Sequence, residues 1–153
     1  MANIVIVDDD EMIAEMASEI LISAGHACGW VCDGEKALQL LQWRRPDLLL
    51  LDQDMPAMSG SVLLRKLRQS PTFYDLPVIM FTAMTGAEDE MQAIYNGAQD
   101  YIRKPFDAKF LVWRVNQLLR TRAERPQHKE LGELMKEGLA KAARDVRRER
   151  AVS

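Results

Sequence analysis

The chain has 153 residues, 48% of them apolar, and a formal net charge of −3. These are the values of an ordinary globular protein with enough length to bury a core, and they argue against a disordered, fibrous or general nucleic-acid-binding chain. The charge is uneven: residues 1–120 carry 11 Lys/Arg against 17 Asp/Glu, a net of −6, and residues 121–153 carry 9 against 6, a net of +3.

"NIVIV" (3–7) is a short β-branched apolar run and reads as a strand. Residues 10–25 place Ile13, Met16, Ala17, Ile20 and Leu21 at helical spacing, with Gly25 as the C-terminal cap. "HACGWVC" (26–32) is a weaker strand, and Asp33 can cap the helix "GEKALQLLQW". After Pro46, "DLLLLD" (47–52) is a third strand, followed by a helix over 59–70. "LPVIMFTA" (76–83), a helix over 86–97 ending at Gly97, "AQDYIRKP" (98–105) and a helix over 107–124 complete the pattern. Five strand–helix pairs in alternation imply an α/β fold: a doubly wound, flavodoxin-like parallel sheet with helices on both faces and right-handed crossovers.

Pro126 interrupts the chain after the fifth helix. In "HKELGELMKEGLAKAARDVRRER" (128–150) Leu131, Met135, Leu139, Ala142 and Val146 share one helical stripe amid charges. The expected organisation is one domain over 1–122 and a charged amphipathic helical tail over 123–153, too short for a separate output domain. Cys28 and Cys32, if four apart on one strand, have Cα atoms about 13 Å apart, too far for a disulfide. They are expected to be buried free thiols. Met16, Met80 and Met91 read as core filler, and Trp30, Trp43 and Trp113 as packing residues. His26 and His128 have no ligand-spaced partners for zinc.

The chemistry gathers where the strands end. The first ends in Asp8-Asp9, with Asp10 next; the third ends in Asp52; the fourth in Thr82; the fifth in Lys104. Ligands of open parallel sheets sit outside the carboxyl ends of the strands, where the strand order reverses. With the order 2-1-3-4-5, that point is lined by Asp8, Asp9 and Asp52, with Thr82 and Lys104 on the same edge. Carboxylates so gathered raise one another's pKa unless compensated, and a hard divalent cation such as Mg²⁺ compensates them. A carboxylate beside Mg²⁺ and a lysine is arranged to attack a phosphoryl group and form an aspartyl phosphate. Asp10 is assigned to capping the first helix.

Four segments, "IVIVDDD" (4–10), "LLLLDQDMPAMSG" (48–60), "PVIMFTA" (77–83) and "GAQDYIRKPF" (97–106), carry a resemblance to the receiver domain of two-component response regulators over roughly residues 2–121. The resemblance implies that Asp52 is the phosphoacceptor and that Asp9 ligates Mg²⁺ directly, with Asp8 acting through water. The backbone carbonyl of Asp54 would be a further ligand. Thr82 would bond a phosphoryl oxygen, Lys104 would pair with the phosphoryl group, and Tyr101 would be an aromatic switch that turns inward. Ala57 stands where the family often has glycine, an exchange expected to be without consequence. Asp54 and Met84 occupy the variable positions that flank the acceptor.

The implied function is a phosphorylation switch charged by a sensor histidine kinase or histidine phosphotransfer protein, read by a downstream protein target. It would not be a conventional enzyme, beyond self-phosphorylation from small donors and self-dephosphorylation. A homodimer could form through the face made by the fourth helix, fifth strand and fifth helix, or through the tail. With no second domain expected, direct DNA binding is not expected. No apolar run approaches the ~20 residues of a membrane span and the start "MANIVIV" lacks the basic stretch of a signal peptide, so a cytoplasmic protein without a membrane partner is expected. Two alternatives remain. "DQD" also resembles the nucleophile motif of haloacid-dehalogenase-type phosphatases, although there it ends the first strand rather than the third. A pseudo-receiver scaffold working through its tail is the other.

Overall fold

The computed structural model describes residues 1–83 and 87–123. The elements run β1 (Asn3–Val7), α1 (Glu11–Ser23), β2 (Ala27–Val31), α2 (Gly34–Leu41), β3 (Leu48–Leu51), α3 (Gly60–Gln69), β4 (Val78–Thr82), α4 (Ala87–Tyr95), β5 (Asp100–Arg103) and α5 (Ala108–Ala123). The five strands form one parallel sheet in the order β2-β1-β3-β4-β5, the doubly wound order expected from the sequence. The chain divides into two compact units, Met1–Leu119 and Arg120–Ser153, and the sheet belongs to the first. The predicted helix over 128–150 and Met84 lie outside the described residues.

Local chemistry sets the element ends. Asp10 caps α1, its carboxylate accepting from the amides of Met12 (3.1 Å) and Ile13 (3.2 Å). Asp33 caps α2 through Lys36 N–H at 2.7 Å, and Ser59 caps α3 through Val62 N–H at 3.3 Å. Gly97 ends the turn after α4 at φ +108°, a backbone region that a side chain disfavours.

Because side chains alternate along a strand, the sheet sorts its residues onto two faces. Ile4, Ile6, Leu48, Leu50, Ile79, Phe81 and Ile102 are buried against α1 and α5. Val5, Val7, Leu49, Leu51, Met80 and Tyr101 are buried with Ala37 and Leu41 of α2, Leu63, Leu64 and Leu67 of α3, and Ala93 of α4. The four leucines of β3 are therefore covered on both sides, each contributing about 2 kcal/mol of burial.

Several packing expectations are corrected. Met80 is buried as expected, but Met16 and Met91 are exposed, as are Trp43 and Trp113. Each sits on the solvent side of an amphipathic helix or in the turn after one, where tertiary packing decides and residue type does not. Trp30 does pack on the core. Cys28 and Cys32 are free thiols but only half-buried. Burial pushes the Cys28 thiol up.

Candidate functional site

The site is built by register. Val7 lies level with Val31 and Leu51, and the amides of Asp8 and Asp52 still bond into the sheet, to Val31 O at 3.1 Å and Val7 O at 2.9 Å. Asp8 and Asp52 are thus the first residues past two adjacent strands. They continue the face on which Ile6 and Leu50 lie, and Lys104, one past β5, continues that face from Ile102. Thr82 and Tyr101 continue the opposite face, with Met80.

Oxygens of Asp8, Asp9 and Asp52 lie within 4.8 Å of one another. Asp8 and Asp52 are buried and Asp9 is exposed, so the cluster opens to solvent on one side. Asp8 accepts from Lys104 Nζ at 2.6 Å and, with its other oxygen, from the amide of Asp10 at 2.9 Å. Lys104 Nζ is also 3.5 Å from Asp52. One ammonium among three carboxylates leaves the cluster short of positive charge. Burial, reinforced by Asp8 and partly offset by Lys104, pushes the Asp52 carboxyl up to about 6. An all-oxygen donor set with residual negative charge suits a hard divalent cation. Asp54, two residues on, has an exposed side chain that lies outside this cluster.

Thr82 and Tyr101 are both buried and line a cavity of about 70 Å³ with Gln53, Ser61 and Gln92. Five of the expected site residues therefore converge as two adjoining groups: Asp8, Asp52 and Lys104 on one face, Thr82 and Tyr101 on the other. Asp9 joins the first group from solvent.

Three features escaped the sequence reading. Gln53, between the two aspartates of "DQD", accepts from both the amide and the hydroxyl of Ser61 at 2.7 Å, fastening the start of α3 beside the end of β3. A Cβ on Gly60 would sit 2.3 Å from the Asp52 carbonyl oxygen, so α3 packs directly on the backbone of that residue. Ala57 adopts φ +67°, so the residue standing in for glycine does have a consequence: an alanine occupies the left-handed region. "MPAMSG" carries the signal for a tight turn, but not which residue takes the positive φ.

Comparison with known proteins agrees with this geometry. The family model described as the response regulator receiver domain matches residues 4–116. RpaA of Synechocystis, a DNA-binding dual master transcriptional regulator, is 36% identical over 138 residues, 90% of this chain and 57% of that protein. The DNA-binding response regulator MtrA of Mycolicibacterium smegmatis is 39% identical over 123 residues, 80% of this chain and 53% of that protein. The signal receiver domain of a signal transduction histidine kinase from Syntrophus aciditrophicus superimposes with a TM-score of 0.75 at 33% identity, covering 83% of this chain and 96% of that one. The chain spans about half the length of the two regulators. These relatives overturn the expectation of no direct DNA binding: both are DNA-binding proteins. That expectation rested on the count of residues after the fifth helix, which says nothing about a longer polypeptide. Among the described residues, no helix is long and apolar enough to cross a membrane.

Proposed function

The chain belongs to the response regulator receiver family of two-component signalling, and from that premise we propose that it is a phosphoacceptor switch in which Asp52 takes a phosphoryl group from a partner histidine kinase or phosphotransfer protein. The observation that carries this reading is the placement of Lys104 Nζ 2.6 Å from Asp8 and 3.5 Å from Asp52, inside a carboxylate cluster at the carboxyl edge of the sheet.

In the proposed step an Asp52 carboxylate oxygen attacks the phosphorus of a phosphohistidine or acyl phosphate. The new O–P bond forms as the bond to the donor breaks, and the donor leaves with that electron pair. An acid pushed up to about 6 is still mostly ionised at neutral pH, yet it is a better nucleophile than an ordinary aspartate. Asp8, Asp9 and Asp52, with the Asp54 carbonyl, would hold Mg²⁺, which when bound supplies positive charge to the phosphoryl oxygens. Lys104 adds a second positive charge from the protein itself and is close enough to leave Asp8 for a phosphoryl oxygen. The modification brings a charge of about −1.5 to −2 next to the cavity that Thr82 and Tyr101 line. Thr82 would bond a phosphoryl oxygen, and Tyr101 would follow it, shifting a two-state surface. Residues 1–122 would form this receiver unit, and its readout would bear on DNA binding, as in the regulators it resembles.

The test is intact mass after incubation with Mg²⁺ and a small acyl phosphate. One phosphoryl group is expected on the parent protein, and none with chelator or in Asp52→Ala. Absence of any adduct from both the small donor and a panel of histidine kinases would sink the reading.

A further inference from the structure

We propose that Phe81 is a positioning residue for Lys104, its ring face holding the ammonium over the carboxylate cluster that contains Asp52. The proposal rests on the phosphoacceptor reading for its functional meaning, but its structural basis is independent of it.

Lys104 has a distance to cross. It leaves β5, whereas Asp8 follows β1, and β4 and β3 stand between them. Three strand spacings amount to about 14 Å, so the side chain must lie across the intervening strand ends rather than project freely. On the face it follows, the residue that β4 presents is Phe81. Leu51 pairs with Met80, which brings Asp52 level with Phe81, and Phe81 itself pairs with Ile102, two residues before Lys104. The Lys104 ammonium lies 4.7 Å from the centroid of the Phe81 ring, within the range of a cation–π contact. Phe81 is fully buried, and its ring is braced by Phe106, centroid to centroid 5.7 Å at 49°.

The ammonium is thus held from three sides: Asp8 at 2.6 Å, Asp52 at 3.5 Å and the ring at 4.7 Å. Only the ring keeps its place when the carboxylates change partner. Asp8 would turn to a metal ion and Asp52 would become an acyl phosphate, and each event changes the anion that now positions the lysine. The face of an aromatic ring carries a permanent partial negative charge and cannot be protonated, ligated or modified in the cycle. An aliphatic residue would fill the same volume and offer no such hold. Sequence reading passes over Phe81 because a phenylalanine in a buried strand reads as core.

The experiment replaces Phe81 in the full chain by mono-, di- and trifluorinated phenylalanines, which keep the ring's shape and progressively drain its face of negative charge. The phosphorylation rate constant with Mg²⁺ and a small acyl phosphate is expected to fall stepwise, by about fivefold or more at the trifluoro ring. Affinity for Mg²⁺ alone, measured by calorimetry, is expected to stay within about twofold, a split that a merely structural role would not produce. The thermal midpoint of the metal-free protein should fall in the same order and stay flat when Lys104→Met is combined with each ring. A flat rate series across the rings would overturn the positioning role. If even the parent protein takes no phosphoryl group, the phosphoacceptor reading falls instead. The stability series then decides the ring–ammonium contact alone, a stepwise fall supporting it and a flat line overturning it.

Discussion

At the amino ends of the strands, Arg68 donates to four carbonyl oxygens: Gly97 at 2.9 Å, Phe73 and Tyr74 at 3.2 Å, and the Gln99 side chain at 3.0 Å. At the carboxyl ends, Asp8 and Asp52 share one lysine, with Asp9 beside them. Both clusters are polar and partly buried, and both tie elements far apart in sequence. They differ in whether their electrical demands are met. Burial lowers the Arg68 guanidinium to about 10, which leaves it charged at any physiological pH, and its donors face matching acceptors. The carboxylates face one another, and the Asp52 carboxyl responds by rising to about 6. A satisfied buried charge is architecture. A frustrated one, held in place by a sheet that gains its stability elsewhere, is arranged for something that arrives from outside.

The contrast can be broken or sharpened by experiment, and the largest effect is expected at the satisfied end. Arg68→Ala removes four charge-assisted bonds and leaves partly buried carbonyls short of donors, so urea denaturation should show a loss of about 2–4 kcal/mol. The phosphorylation rate of the folded variant should stay within about twofold; a collapse of that rate would show that the two ends are not separable.

At the frustrated end the sign reverses. Asp52 has its carboxyl raised from 3.8 to about 6, so the folded state holds that proton more tightly than the unfolded chain. This favours the fold below pH 4, and the benefit is lost as pH rises through 6. In chelator at pH 7, Asp52→Asn should therefore be more stable than the parent by roughly 1–3 kcal/mol, with the gap closing toward pH 4. A parent protein that melts higher than Asp52→Asn at pH 7 would contradict the frustration.

Mg²⁺ should relieve the same conflict. At about ten times its dissociation constant it should add ~1.4 kcal/mol of stability to the parent, read as a rise in thermal midpoint. Asp9→Asn, at an exposed position, should remove most of that rise. The smallest effect concerns the turn after β3. Ala57→Gly relieves the left-handed backbone at φ +67° and should stabilise the chain by about 0.5 kcal/mol, since the freedom that glycine gains when unfolded offsets part of the relief. A destabilised variant would mean that the alanine methyl packs usefully.

Much of this was legible in the sequence, because the strands announce themselves. β1 from Ile4 and β3 throughout are apolar runs, and each ends abruptly in acid, so both the sheet and its acidic edge can be read from one dimension. The strand register then places Asp8, Asp52 and Lys104 with no further information. Contacts made by residues with two plausible lives were not legible. Arg68 sits one residue past Leu67 on the flank of a buried stripe, and reads as a solvated cation until the α4–β5 turn is seen to cover it. Trp113 and Met91 are apolar by type but lie on the outer sides of α5 and α4. Gln53 and Ser61, eight apart, meet only because the turn between them doubles the chain back.

That return of the chain leaves Gly60 with no space to spare: the nearest atoms to a side chain there would be the carbonyl oxygen and carbon of Asp52 and the Cα of Gln53, at 2.3, 2.9 and 2.9 Å. All three are backbone, so no rotamer change makes room. In the language of inheritance, this position has one permitted letter, and the constraint is exerted by the backbone of residues seven and eight places earlier. A lineage could exchange many of the surrounding side chains and still keep its fold, but it cannot place even a methyl group at the joint where β3 and its covering helix meet.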